Sequence, residues 1–197
     1  MEYVIGLDLS SKTGISVFKN GSILNSQTIE LGYKVDSKDS FYPFNFINAT
    51  KDMSEKLIQF ILEYPNSTIV IEETSTSRNV YAQKKLEFLH YQLLNDLDSY
   101  GFYKINYLGS NKWRSILNIK QTPETTKHNK LVKAGKAKGK ITTKHLSVYS
   151  ANKIYGLSLL QKDNNESDAI HLAAAYLQQH GELKHDYNQS LQGITDR

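Results

Sequence analysis

Residues 2–18 read EYVIGLDLSSKTGISVF, and one side chain in them decides how the rest of the chain is read. Residues 3–9 form an apolar run of the kind that makes a strand buried on both faces. Asp8 nevertheless stands in it, between Leu7 and Leu9. A buried carboxylate costs several kcal/mol unless a hydrogen bond, a cation or a metal ion meets it. The small polar turn SSKTG then leads into a second β-rich run at 14–20, and Asn20-Gly21 supplies the two positive φ values that a tight hairpin turn needs before a third run at 22–31. These residues predict an antiparallel meander of three strands.

Composition bounds the rest. At 197 residues and 39% hydrophobic content, the chain is long enough for one sizeable core and short for two domains. The 24 Lys and Arg exceed the 20 Asp and Glu, and the pI is near 9.0, which suits a polyanionic partner. The sequence has no cysteine, which excludes disulfides, thiolate metal sites and thiol nucleophiles. With no basic segment and apolar core at its start, and no run of about 18 apolar residues, the expectation is a soluble cytoplasmic protein of a bacterial cell or a phage-infected host, with no membrane partner.

Beyond the meander, Pro43 and mixed polar residues mark 32–49 as a connecting segment, with aromatics at Phe41, Tyr42, Phe44 and Phe46. Met53, Leu57, Phe60, Ile61 and Tyr64 fall at helical spacing over 50–64, ended by Pro65-Asn66. TIVIEE at 68–73 reads as a buried strand finishing in two acids. A helix is expected over 80–97, a strand over 102–108, a short helix in SNKWRSIL with Ser110 as N-cap, and helices over 142–155 and 166–179. Strands followed by alternating helix and strand predict a mixed α/β sheet covered by helices. Residues 119–141 read as a basic loop: Lys120, Lys127, Lys130, Lys133, Lys136, Lys138 and Lys140 face only Glu124 there. One domain over 1–180 and a polar, frayed tail over 181–197 complete the expectation.

Asp8, Glu72 and Asp168 then occupy comparable places: two strand ends and the first turn of the last helix. Ligands gather at the carboxyl ends of parallel strands in open α/β sheets. Glu72 is preferred to Glu73 because alternation sends the two to opposite faces. Three convergent carboxylates repel unless a cation joins them, and hard oxygen donors suit Mg²⁺ or Mn²⁺. Two such ions form the clamp used in phosphodiester hydrolysis.

The ordered set IGLDLSSKTG, IVIEE, YLGSNKWRSIL and NESDAIHLAAA resembles the RuvC branch of the ribonuclease H-like superfamily, the Holliday junction resolvases, over roughly residues 2–180. The resemblance implies a five-stranded mixed sheet in the order 3-2-1-4-5, a homodimer, and Mg²⁺-dependent cleavage of four-way DNA junctions by paired nicks. It makes Asp8, Glu72 and Asp168 the metal ligands. Relatives carry an acid or a histidine three residues before the last Asp; here Asn165 stands there, offering a carbonyl oxygen, with Glu166 and Asp163 at hand to supply charge. Thr74, Ser75 and Thr76 replace the aromatic that many relatives place after the second motif, leaving Tyr81 as the candidate wedge. DNA contacts are expected from Lys127, Lys130, Lys133, Lys136, Lys138, Lys140 and Lys144.

Plainer readings compete. Asp8 caps backbone amides of its turn; Asn165 to Asp168 form a capping box needing no metal; His171 packs in the core rather than carrying protons; Trp113-Arg114 is core plus a surface salt bridge; the aromatics at 41–46 are packing or a dimer interface. Rival functions are a nuclease of the same fold acting on RNA or flaps, an actin-like ATPase or sugar-kinase-type phosphate binder suggested by DLSSKTG, and a catalytically inactive DNA-binding relative.

Overall fold

The computed structural model describes residues 3–31, 41–74 and 79–195. The expectations that concern Ser75 and Thr76, and the part of the connecting segment at 32–40, lie outside the described residues. Strands β1 (Tyr3–Asp8), β2 (Lys12–Lys19) and β3 (Ser22–Glu30) form the meander, followed by α1 (Phe44–Ile61), β4 (Thr68–Glu72), α2 (Val80–Ser99) and β5 (Ile105–Leu108). Helices α3 (Ser110–Ile116), α4 (Pro123–Lys133), α5 (Thr143–Tyr155) and α6 (Asn164–Gln179) follow, with one 3₁₀ turn at Gln161–Asp163. The sheet order is β3-β2-β1-β4-β5, as expected. β1 pairs antiparallel with β2 and parallel with β4, so the meander joins a parallel half at β1. Asn20 and Gly21 turn the β2–β3 hairpin with φ of 51° and 76°, the positive values that the Asn-Gly dipeptide predicts.

Alternation along β1 sorts the two cores. Ile5 and Leu7 face α1 and α2, in a cluster with Ile69, Ile71, Met53, Leu57 and Leu93. Val4 and Val70 face the other way, in a cluster with Trp113, Leu146 and Ile170 from α3, α5 and α6. Leu7 pairs with Ile71 across the parallel ladder, so Asp8 and Glu72 end their strands side by side, on the α6 face.

α6 lies unusually close to that face. A Cβ on Gly6 would run into the Ala169 carbonyl, and one on Gly14 into the backbone of Asn165 and Glu166. Ser16 Oγ donates to the Ala169 carbonyl at 2.9 Å, satisfying a polar group inside the contact. Ala169, Ala173 and Ala174 are fully buried, so α6 meets the sheet through small residues.

Three expectations need correction. The connecting segment ends six residues earlier than the periodicity suggests: α1 starts at Phe44, directly after Pro43, and Phe46 in its first turn is fully buried against Tyr42 and Tyr81. Residues 119–141 are not a loop. Thr122 caps α4 in a reciprocal box with Thr125, and Pro123 takes the first helical position, where its missing N–H is harmless. The glycine-rich stretch after α4 is clipped shut, because the Asn129 amide exchanges two 2.8 Å hydrogen bonds with the Ile141 backbone. The polar tail also packs: Tyr187, Leu191 and Ile194 are buried in the α6-side core. Among the described residues, no helix is long and apolar enough to cross a membrane.

Gly6→Ala forces α6 off the sheet or the strand out of register. Urea unfolding should show a loss of about 3 kcal/mol, the upper end of ordinary overpacking; an unchanged midpoint would mean that α6 moves freely.

Candidate functional site

Asp8 and Glu72 point from the ends of β1 and β4 toward α6, and Asp168 faces them from the second turn of that helix. Glu73, on the opposite alternation, is exposed. The capping-box alternative fails here. Helix α6 begins at Asn164 with no side-chain cap, and the Asp168 carboxylate is engaged elsewhere. Its Oδ1 accepts a short hydrogen bond from Ser147 Oγ on α5, and its Oδ2 accepts from Arg114 Nη2 on α3 at 3.2 Å. Trp113 Nε1 donates to Glu72 Oε2 at 3.2 Å. Adjacent residues of one short helix thus hold two of the three acids.

The acids act on one another. Burial, then Asp168 and Glu72, raises the Asp8 carboxyl well above the ordinary range, with Arg114 and Lys144 pulling it back. Burial and Asp168 raise Glu72 against the opposing Trp113 hydrogen bond and Arg114. Burial raises Asp168, while Ser147, Arg114 and Lys144 oppose. No hydrogen bond to the Asp8 carboxylate is found among the described residues, so the acid that ends the first strand is met by charge alone.

Behind the acids stands a column of rings. The Arg114 guanidinium lies 4.1 Å from the Trp113 ring centroid, Trp113 stacks on His171 at 5.6 Å, and His171 meets Tyr187 edge-on at the same spacing. His171 is fully buried. Its Nε2 donates to the Ser147 carbonyl at 3.0 Å, which leaves Nδ1 as acceptor toward the Tyr187 hydroxyl, also at 3.0 Å. Burial lowers its pKa to about 4, so it is a neutral core histidine that fixes α5, and with it Ser147.

The other expected residues divide. Asn165 Nδ2 donates to Ser10 Oγ at 3.0 Å and to the Lys12 carbonyl, and its Oδ1 accepts from Asn164, so its amide ties α6 to the β1–β2 turn. Glu166 accepts from Ser26 Oγ on β3 at 2.6 Å and has no interaction with the three acids. Through these bonds both side chains support α6. Lys144, on α5, is felt by Asp8 and Asp168 and reaches Asn164 Oδ1 at 3.4 Å. Lys127, Lys130 and Lys133 lie on α4, Lys136, Lys138 and Lys140 after it, and all six are exposed on the protein's surface.

Sequence reading missed Ser147, and also His90, which lines a cleft of about 220 Å³ together with Asp8, Glu72, Glu73 and Gln83; it reads Trp113-Arg114 as core plus a surface salt bridge, and the structure has Trp113 buried and the Arg114 ion pair turned inward onto Asp168. Ser147 carries no local signal. His90 sits at a position in α2 that periodicity assigns to packing.

The donor chemistry fits a divalent cation: three hard carboxylates, mutually repelling, at the carboxyl ends of parallel strands. Among the described residues, no three such groups stand near enough to hold an ion in the side-chain placements seen. Arg114 sits within the cluster.

No family model and no curated protein matches the sequence. Solved structures do. RuvC of Thermus thermophilus in complex with a Holliday junction substrate matches with a TM-score of 0.63 at 10% identity, over 94% of this chain and 99% of that one. A further Thermus thermophilus RuvC structure gives 0.57 at 13%, over 93% and 99%. The yeast mitochondrial Holliday junction resolvase Ydc2 gives 0.52 at 18%, over 96% and 83%. The chain therefore has a ribonuclease H-like fold. Within that class it is the RuvC-like arrangement, with the sheet order and flanking helices that the sequence motifs imply.

Asp8 keeps its proton in the folded protein at pH values where the unfolded chain has released it. Its contribution therefore holds below the ordinary carboxylate range and is lost as pH rises through the raised value. Asp8→Asn removes the ionisation, and in chelating buffer at pH 7 it should add about 1 kcal/mol, or about 3 °C in melting temperature. A lower melting temperature would mean that the charge is compensated. His171 acts in the opposite sense: its contribution is lost as pH falls from 6.5 toward 4.

Proposed function

We propose that this protein is a divalent-metal-dependent, structure-selective DNA endonuclease that resolves four-way or otherwise branched DNA. The observation that carries the reading is the convergence of Asp8, Glu72 and Asp168 from β1, β4 and α6, on a fold shared with structures described as RuvC and a Holliday junction resolvase. Asp8, Glu72 and Asp168 are the residues that would hold Mg²⁺, as a pair of ions, with Mn²⁺ as a substitute. Bound there, the ions supply orientation of the attacking water and neutralisation of charge on the phosphate.

The chain's own residues do the rest. Trp113 fixes Glu72, while Ser147 fixes Asp168. Lys127, Lys130, Lys133, Lys136, Lys138 and Lys140 hold the phosphate backbone along and beyond α4, and Lys144 extends that positive strip to the acids. Two copies acting as a homodimer would present two such sites to the strands of a junction. Asn165 and Glu166 contribute by keeping α6 seated on β2 and β3.

The test is cleavage of matched four-way junction, flap and RNA/DNA hybrid substrates with Mg²⁺ or Mn²⁺. The native protein should nick junctions preferentially. Asp8→Asn should bind them with unchanged affinity and cleave about a thousandfold more slowly. Normal cleavage by Asp8→Asn would remove the site, junction binding without nicking would favour an inactive DNA-binding relative, and ATP binding would favour a phosphate-binding enzyme. Changing Lys127, Lys130 and Lys133 to Gln should lower the slope of log affinity against log salt by about 0.9 for each phosphate that the variant leaves unneutralised.

A further inference from the structure

Both oxygens of the Asp168 carboxylate are in use, Oδ1 by Ser147 and Oδ2 by Arg114. The Arg114 side chain is 18% exposed, lies over the Trp113 ring at 4.1 Å, and buries its Nε with no hydrogen-bond partner among the described residues. A guanidinium normally uses its whole fork of donors. Here one donor is left orphaned, so the negative charge of the cluster and the ring face hold the group, rather than a full set of hydrogen bonds. Arg114 is felt by Asp8 and Glu72 as well as Asp168.

Resting on the reading of these three acids as ligands, we propose that Arg114 is a resident counter-cation that competes with the divalent ion for Asp168. An oxygen that accepts Nη2 at 3.2 Å cannot present the same lone pair to an ion at about 2.1 Å. Two cations on one carboxylate also repel. The lone pair that accepts Nη2 becomes available to the ion only as the Arg114 pair opens, so the two equilibria are linked and each weakens the other. A phosphodiester is the partner best suited to receive the released guanidinium, because its paired oxygens match the fork. Arrival of the DNA backbone at the cluster thereby favours ion binding.

Competition and simple positioning predict opposite results. If Arg114 merely held Asp168 in place, removing it would weaken ion binding; as a competitor, its removal strengthens binding. Calorimetric titration of Mn²⁺ into native protein, Arg114→Gln and Arg114→Met, all without DNA, should give affinities about tenfold or more tighter in the variants. Equal or weaker affinity in the variants, with the native protein still binding Mn²⁺, would overturn the competition and leave the ligand assignment standing. No binding by native protein or either variant would overturn both. The native protein provides a measurement that does not depend on the variants folding. Arginines occur only at Arg78, Arg114 and Arg197, and the Arg114 guanidinium nitrogen resonances should move as Mg²⁺ is added. Resonances that stay fixed while Mg²⁺ binds would overturn the proposal.

Discussion

The near-contact of α6 with β1 and β2 is the constraint from which the rest follows. Gly6 and Gly14 leave no room for a Cβ between strand and helix, and the Ser16 hydroxyl satisfies a helix carbonyl inside the contact. Only because the helix lies this low does Asp168 come within electrostatic reach of Asp8 and Glu72. The ordinary distance between a helix and a sheet is set by side chains on both partners. At Gly6 and Gly14 the sheet contributes none, and the space released brings carboxylates together that would otherwise stay apart.

The cluster works against the stability of the fold that holds it. All three carboxyls are raised by burial, and two of them further by each other or by a neighbouring acid. Rigid aromatic support offsets this. The layered Arg114, Trp113, His171 and Tyr187 side chains run from the acids into the α6-side core. The C-terminal segment closes that column, because Tyr187 comes from the stretch whose polarity suggested a frayed tail.

Much of this is legible from residues alone where local chemistry and global placement agree. Asn20-Gly21 gives the hairpin, alternation in YVIGLD and TIVIE gives the face of each acid, and strands followed by alternating helix and strand give a mixed sheet, whose order comes from the family resemblance. What escapes is of two kinds. Segments rich in lysine and glycine look unstructured by composition, and only the pairing of Asn129 with Ile141, twelve residues apart, turns 119–141 into a folded unit. Partners such as Ser147 and Arg114 join the cluster from helices remote in sequence, where no periodicity marks them. Asn165 adds a role that its position relative to Asp168 does not announce: its Nδ2 ties α6 to the β1–β2 turn.

The lysine-bearing unit hangs from the core at two adjacent points. Ile119 and Ile141 are both buried in the same cluster, and Gln121 donates to the Ile141 carbonyl at 3.0 Å across the base. The exposed lysines between them can change in number and charge while the strands bearing the acids keep their register. The lysine-bearing surface and the carboxylate cluster are thus separable parts of one fold, joined through a base of two buried isoleucines.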